Sequence, residues 1–314
     1  MANLRKCAVI GVGFVGATSA FTLATSGLFS EIVLLDANQK KAEGEAADIS
    51  HGIAFTQPCA VRAGGYADLA ECGLIVIAAG ANQKPGETRT ELLGRNKVIL
   101  QSILEQVMAV NRDAILLIVS NPVDILTYAA LKLSGFPENR VIGSGTVLDT
   151  ARLKYALGEH LGVDNRSVHS FIIGEHGDSE IAAWSSTNVS GIPLNTFCEM
   201  RGHFDHDHAM DRIAEDVKNS AYDIISKKQA TYYGIAMSVK RICECIIRNE
   251  RSILPVSSMM HGEYGIDGIS LSMPAIVGLT GIETHVPIAL NAEEAEKLRA
   301  SAETLKKIAA TLEL

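Results

Sequence analysis

A doubly wound parallel α/β sheet, followed by an α+β half, is the fold predicted by this 314-residue sequence. Three observations carry the prediction. Short aliphatic runs alternate with longer mixed segments as far as residue 144, a glycine-rich turn follows the first run, and the pattern changes near residue 145.

The aliphatic runs cover residues 7–10, 32–35, 74–78 and 115–119, with weaker ones at Val61 and Val141. Strands apolar on both faces suit a parallel sheet with helices on each side. Between them, residues 15–26 and 95–110 have the length and period of helices. With Gly11-Val-Gly13-Phe-Val-Gly16 between the first strand and the first helix, residues 1–144 read as a Rossmann-type domain. Past residue 145, 149–161 reads as a helix, 168–173 as one strand, and the stretches around Trp184 and Val189 as hairpin-like. Residues 207–228 place Met210, Ile213, Val217, Ala221 and Ile224 at helical spacing, which predicts an amphipathic helix. Strand patterns return at 252–257 and 269–277. The last helix opens at Asn291 with Glu294 in a capping-box arrangement and buries Leu298, Leu305, Ile308 and Leu312. With no internal repeat or low-complexity linker, 145–314 is expected to form an α+β substrate or catalytic domain.

Composition narrows the function classes. The chain is 47% hydrophobic and 20% charged, ordinary values for a globular protein with a substantial core. A net charge of −8 argues against a nucleic-acid surface, which needs clustered Lys and Arg. The six cysteines, at 7, 59, 72, 198, 243 and 245, form no zinc-type CxxC pair and read as reduced, packed thiols. The opening residues MANLRKCAVI run straight into a strand pattern, and no apolar run reaches the ~20 residues that span a bilayer. The expectation is a cytoplasmic protein with neither nucleic-acid nor membrane partners.

The glycine motif predicts a dinucleotide site. The first glycine permits a tight turn, the second admits the pyrophosphate to the backbone, and the third lets helix pack on strand. Asp36 ends the second strand, about 20 residues beyond, where an acid binds ribose hydroxyls and repels a 2′-phosphate. NAD is therefore expected as the cofactor, in preference to NADP.

Four further segments carry chemistry: Gly80-Ala-Asn-Gln-Lys-Pro-Gly-Glu-Thr-Arg89, Val119-Ser-Asn121-Pro-Val-Asp124, Leu148-Asp149-Thr-Ala-Arg152 and Gly174-Glu-His176-Gly-Asp178. Together with GVGFVG, in this order and along essentially the whole chain, they resemble the L-lactate/malate dehydrogenase family. Reducing a 2-keto acid needs a proton donor beside the carbonyl, and histidine suits that exchange near neutral pH. The resemblance implies that His176 is that group and that Asp149 pairs with it. Arg152, three residues after Asp149, lies on nearly the same helix face, and its planar fork matches a substrate carboxylate. Arg89 resembles the family's mobile-loop arginine, which polarises the reacting carbonyl; Pro85 and Gly86 suit a lid over about 81–95.

The resemblance also assigns substrate contacts to Gln83, Asn121, Asp124 and Thr231, and cofactor contacts to Val15, Lys41, Tyr66, Gly80, Ala81, Ser102, Val119, Ser120 and Asn121, beside Gly11, Gly13, Gly16 and Asp36. The Asn121–Pro122 peptide is a candidate cis bond. Gln83 separates the substrates. Malate dehydrogenases typically carry arginine there, and a neutral glutamine would leave a second carboxylate buried and unpaired, at several kcal/mol. Pyruvate and lactate are therefore expected over malate, the alternatives being another 2-hydroxy acid or a non-catalytic NAD-binding relative. NAD-dependent glycosidases need a metal site not found in this sequence.

Lys154 and His169 match positions that bind a sugar bisphosphate between subunits in allosteric bacterial relatives, which implies fructose 1,6-bisphosphate as an activator. The first position is commonly arginine, and lysine keeps the charge without the fork. A homotetramer is likewise implied. His203-Phe-Asp-His206-Asp-His208 reads as a solvated loop leading into the amphipathic helix rather than a metal site, and no metal is expected.

Overall fold

The computed structural model describes residues 2–81, 86, 89–312 and 314; the side chains of Arg89, Thr90 and Asp207 lie outside what it describes. The first half runs β1 (Asn3–Ile10), α1 (Phe14–Thr25), β2 (Glu31–Leu35), α2 (Gln39–Gly52), β3 (Ala60–Ala63), β4 (Cys72–Ile77), α3 (Arg89–Val110), β5 (Ile115–Ile118), α4 (Val123–Ser134) and β6 (Val141–Gly143). These strands are parallel, in the order β3-β2-β1-β4-β5-β6. This is the doubly wound arrangement, and its order reverses between β1 and β4. Ligands bind such sheets beyond the carboxyl ends of the strands at that reversal.

Side chains alternate across a strand, and here both sets are buried. Ala8, Ile10, Ile75, Ile77, Leu116 and Ile118 face a core shared with α3, α4 and α9 (Ala292–Ala309). Their neighbours Cys7, Val9, Leu74, Val76, Ile115 and Leu117 face a second core with α1, α2 and α8 (Tyr233–Arg248). Each fully buried Leu or Ile contributes about 2 kcal/mol, so the β1–β4–β5 centre is the most costly part of the fold to disturb. All six cysteines are free and buried, and burial raises the thiol pKa of Cys7 and Cys243.

The second half contributes α5 (Val147–Leu161), β7 (Val168–His169), β8 (Ile172–Ile173), β9 (Ile181–Ala182), β10 (Asn188–Val189), β11 (Ile192–Pro193), α6 (Leu194–Met200), α7 (His206–Lys228), β12 (Ser252–His261), β13 (Asp267–Gly278) and β14 (Gly281–His285). The long strands do not form a separate layer. β12 pairs antiparallel with β6 through Ser257 and Gly143, so β14-β13-β12 extend the first sheet to nine strands. A third core, with Leu153, Leu157, Leu161, Met210, Ile213 and Val217, packs α5 against α7. At α9 the capping box is present: Asn291 Oδ1 accepts from Glu294 N at 2.8 Å and Glu294 Oε2 from Asn291 N at 2.9 Å.

Four expectations change. Residues 168–173 are two short strands, with β7 beside β10 and β8 beside β9. The break follows from side chains of α5 and its cap: Thr150 Oγ1 accepts from Ile172 N at 2.8 Å, and Thr146 Oγ1 donates to Ile172 O at 2.6 Å. Trp184 sits in a 3-10 turn, Trp184–Ser186, and only Val189 belongs to a hairpin. The helix α3 begins at Arg89, so the C-terminal part of the anticipated 81–95 loop is helical. His206 and His208 lie within α7 rather than in a loop, and the histidines part company: the His203 ring lies tilted against that of His160 with centroids 4.3 Å apart, while His206 faces Glu199 and His208 faces Asp205.

Candidate active site

Beyond the carboxyl ends of β1, β2 and β4 lies a cleft of about 790 Å³, lined among others by Gly11, Gly13, Asp36, Lys41, Tyr66, Gly80 and Ser102. The glycine turn is built by contacts that a side chain would break. Gly11 has φ +92°, and a Cβ there would stand 2.5 Å from the Ala79 backbone. At Gly16 a Cβ would meet Gly11 O at 1.8 Å, which locks α1 close under the turn. Around Gly13 nothing lies within 4 Å, so the backbone there is open to a ligand. The first turn of α1 carries no acid and Gly13 makes no side-chain cap, which leaves the positive end of the helix dipole for phosphate oxygens. The Asp36 carboxylate is held by Val12 N and Asn38 N, each at 2.9 Å. The cleft thus fits a dinucleotide in size and in lining. Asp36→Ala should weaken NADH binding roughly 10- to 100-fold, read by nucleotide fluorescence titration, since charge-assisted hydrogen bonds contribute about 1.5–3 kcal/mol.

Other residues assigned to the cofactor lie around this cleft without lining it. Val119 is buried, and Ser120 Oγ donates to Ala79 O at 2.6 Å, which ties β5 to the end of β4. Val15 sits in the first turn of α1. Ala81 and Asn121 are joined by a residue the motifs did not reveal. Asn96, buried on α3, accepts from Ala81 N at 2.8 Å and donates to Asn121 O at 3.0 Å. The Asn121–Pro122 peptide is cis.

Three residues from Asn121 the chain reaches Asp124, in the first turn of α4. Asp124 is buried, and its carboxylate accepts from His176 N at 2.7 Å and from Ser272 Oγ of β13 at 3.1 Å. It braces the backbone that carries the histidine. His176 Nδ1 meets Asp149 Oδ2 at 2.6 Å, and Arg152 Nη1 donates to Asp149 Oδ1 at 2.7 Å. Asp149 is 2% exposed, while the His176 ring is 25% exposed and so reachable by a small molecule. Burial opposes the imidazolium, but the Asp149 charge and hydrogen bond, with Asp124 and Glu180 behind them, outweigh it and raise the His176 pKa to about 9. Burial disfavours the Asp149 carboxylate as well, yet His176 and Arg152 hold its pKa below the ordinary range.

Glu180, just before β9, was not anticipated. Its Oε1 is buried without a hydrogen-bond partner, and burial, then the neighbouring Asp149, raise its pKa to about 8. An acid four residues after a histidine belongs to no motif used above, so no local signal marked it. Thr231 follows α7, beside Tyr232, whose ring stacks on Phe14 of the glycine motif at 5.5 Å and receives Lys228 Nζ at 3.5 Å. That contact joins the two halves next to the cleft. Lys154 on α5 is half-buried, with its pKa lowered by burial, and His169 is exposed on β7. Gln83 and Pro85 lie outside the described residues, as does the side chain of Arg89.

Comparison with known proteins agrees over the full length. Residues 5–143 match the lactate/malate dehydrogenase NAD binding domain, and residues 146–313 match the alpha/beta C-terminal domain of the same family. The chain is 52% identical to an L-lactate dehydrogenase of Acetivibrio thermocellus, covering 99% of this chain and 98% of that one. It is 53% identical to L-lactate dehydrogenase 1 of Clostridium acetobutylicum, covering 98% of each. Among solved structures, the minor L-lactate dehydrogenase of Enterococcus mundtii in its ligand-bound form superposes with a TM-score of 0.96 at 43% identity, covering 99% of each chain. A lactate dehydrogenase from a deep-sea metagenome library superposes at 0.97, with 42% identity and both chains fully covered.

Proposed function

Because this chain belongs to the lactate/malate dehydrogenase family and binds NAD through its first half, we propose that it catalyses the reversible reduction of pyruvate to L-lactate by NADH. The observation that carries the proposal is the Asp149–His176–Arg152 cluster, in which one buried carboxylate bonds both an imidazole and a guanidinium. The bound nicotinamide supplies the hydride in one direction and accepts it in the other. With Nδ1 held by Asp149, the His176 proton that can be given away is the one at Nε2. In reduction the imidazolium gives it to the carbonyl oxygen as negative charge develops there. In oxidation the neutral ring takes the proton of the lactate hydroxyl. Asp149 stabilises the charged ring and sets its orientation, and Asp124 holds the backbone beneath it.

In this reading Arg152 clamps the substrate carboxylate and Asn121 and Thr231 complete the pocket, while the family resemblance gives carbonyl polarisation to Arg89 and discrimination against a second carboxylate to Gln83. These roles divide the chain into an NAD-binding domain over 1–144 and a catalytic domain over 145–314. The working form in this reading is a cytoplasmic homotetramer whose Lys154 and His169 bind fructose 1,6-bisphosphate. No helix among the described residues is long and apolar enough to cross a membrane.

The test is NADH oxidation with pyruvate and with oxaloacetate. The kcat/KM for pyruvate should be larger by roughly 10²-fold or more, because the second carboxylate of oxaloacetate would lose several kcal/mol of counter-charge. Equal or reversed values would overturn the pyruvate assignment. Fructose 1,6-bisphosphate in the same assay should lower the KM for pyruvate, and an unchanged saturation curve would remove the activator from the scheme.

A further inference from the structure

One carboxylate oxygen each of Asp149 and Glu180 and one ring nitrogen of His176 lie within 4.8 Å of one another. Both oxygens of Asp149 are engaged, Oδ1 by Arg152 and Oδ2 by His176. Glu180 Oε1 is buried against this pair with no hydrogen-bond partner. Two carboxyl groups so close, only one of them supplied with donors, cannot both ionise cheaply. The charged groups facing Glu180 are Asp149 and Arg152 from α5, His176 from the loop before β9, and Lys218 from α7.

We propose that Glu180 is a positioning residue of this site: held protonated, it leaves the His176–Arg152 pair the net positive charge that a 2-keto acid carboxylate requires, and its ionisation closes the site to that anion. The proposal rests on the 2-keto acid reading above. The charges balance as follows. Asp149 and Asp124 offset two of the three cations, His176, Arg152 and Lys218, and the third remains to meet the substrate. A charged Glu180 would cancel it. Asp124 contributes equally in either state of Glu180, since it lies behind His176 with its oxygens held by His176 N and Ser272 Oγ.

Burial and then the adjacent Asp149 carboxylate hold the Glu180 pKa up to about 8, whereas His176 stands at about 9. For the site to close in this way, Glu180 must ionise first as the pH rises, while His176 still carries its proton. The two steps belong to the interacting pair and should separate in kinetics. In the wild-type protein the KM for pyruvate should rise about tenfold per pH unit above pH 8, before kcat begins to fall near 9. Glu180→Gln removes the charge and keeps the shape, so its KM should stay level through that window. Glu180→Asp restores a titrating carboxyl and should restore the rise.

An infrared spectrum of the ligand-free protein gives a readout apart from turnover. The wild type should show a protonated-carboxyl stretch near neutral pH that bleaches through pH 8, and Glu180→Gln should lack it. Absence of that band in the wild type, or a KM rise in Glu180→Gln equal to that of the wild type, would overturn the proposal. Failure of the wild type to reduce pyruvate would instead overturn the substrate reading, while the infrared band would still report whether Glu180 is held protonated.

Discussion

His176→Ala should lower kcat for pyruvate reduction by roughly 10²–10⁴-fold, the usual contribution of a placed general acid. NADH binding should be nearly unchanged, because His176 does not line the dinucleotide cleft. Stopped-flow rates with saturating NADH, paired with a fluorescence titration of the nucleotide, separate the two effects. A near-normal rate would place the proton elsewhere and remove His176 from the mechanism. The pH dependence should change as well. Wild-type reduction loses its proton donor as pH rises through about 9, and the residual rate of the variant should lack that limb.

The second large effect is expected at Asp149→Asn. Without the carboxylate, burial remains the main influence on His176, and it disfavours the imidazolium. The alkaline limb should move from about 9 to below the ordinary 6.5, so that at neutral pH kcat falls about tenfold for each unit by which the pKa drops below 7. Stability follows with a definite sign. The His176 pKa is raised on folding, so the contribution of the pair is complete below about 6.5 and is lost as pH rises through about 9. The Asp149 pKa is lowered on folding, so its contribution is present above 3.8 and lost as pH falls below that. Thermal melts should therefore show the largest Tm gap between wild type and variant in mildly acidic buffer, narrowing above pH 9. A gap that does not vary with pH would mean that the pair is not ionic.

Much of the site was legible because its geometry is local. GVGFVG specifies a turn through one positive φ and one close helix contact, and both involve residues only a few positions apart. Asp149 and Arg152 share a helix face by the helical period alone, and Asn291 and Glu294 cap one another across three residues. Motif order then implied which side chains would meet. What the motifs did not reveal is what joins the segments. Asn96 looks like any polar residue in a helix until it is seen bonded to both Ala81 and Asn121.

The sequence by itself determined the alternation of aliphatic strands with helices and the dinucleotide turn, and it named His176, Asp149 and Arg152 as candidates for the chemistry. Tertiary structure alone decided that β12 joins β6 and merges the two halves into one sheet, that residues 168–173 break into two strands under side chains from α5 and its cap, and that Asp124, itself held by Ser272, and Glu180 converge on His176. The physical reason is one of range. Hydrophobic period and turn chemistry report the burial of each segment against an unnamed neighbour. Strand pairing and buried carboxyl chemistry depend on which distant groups fill that neighbouring space, and Asp124 and Ser272 meet across 148 residues of chain.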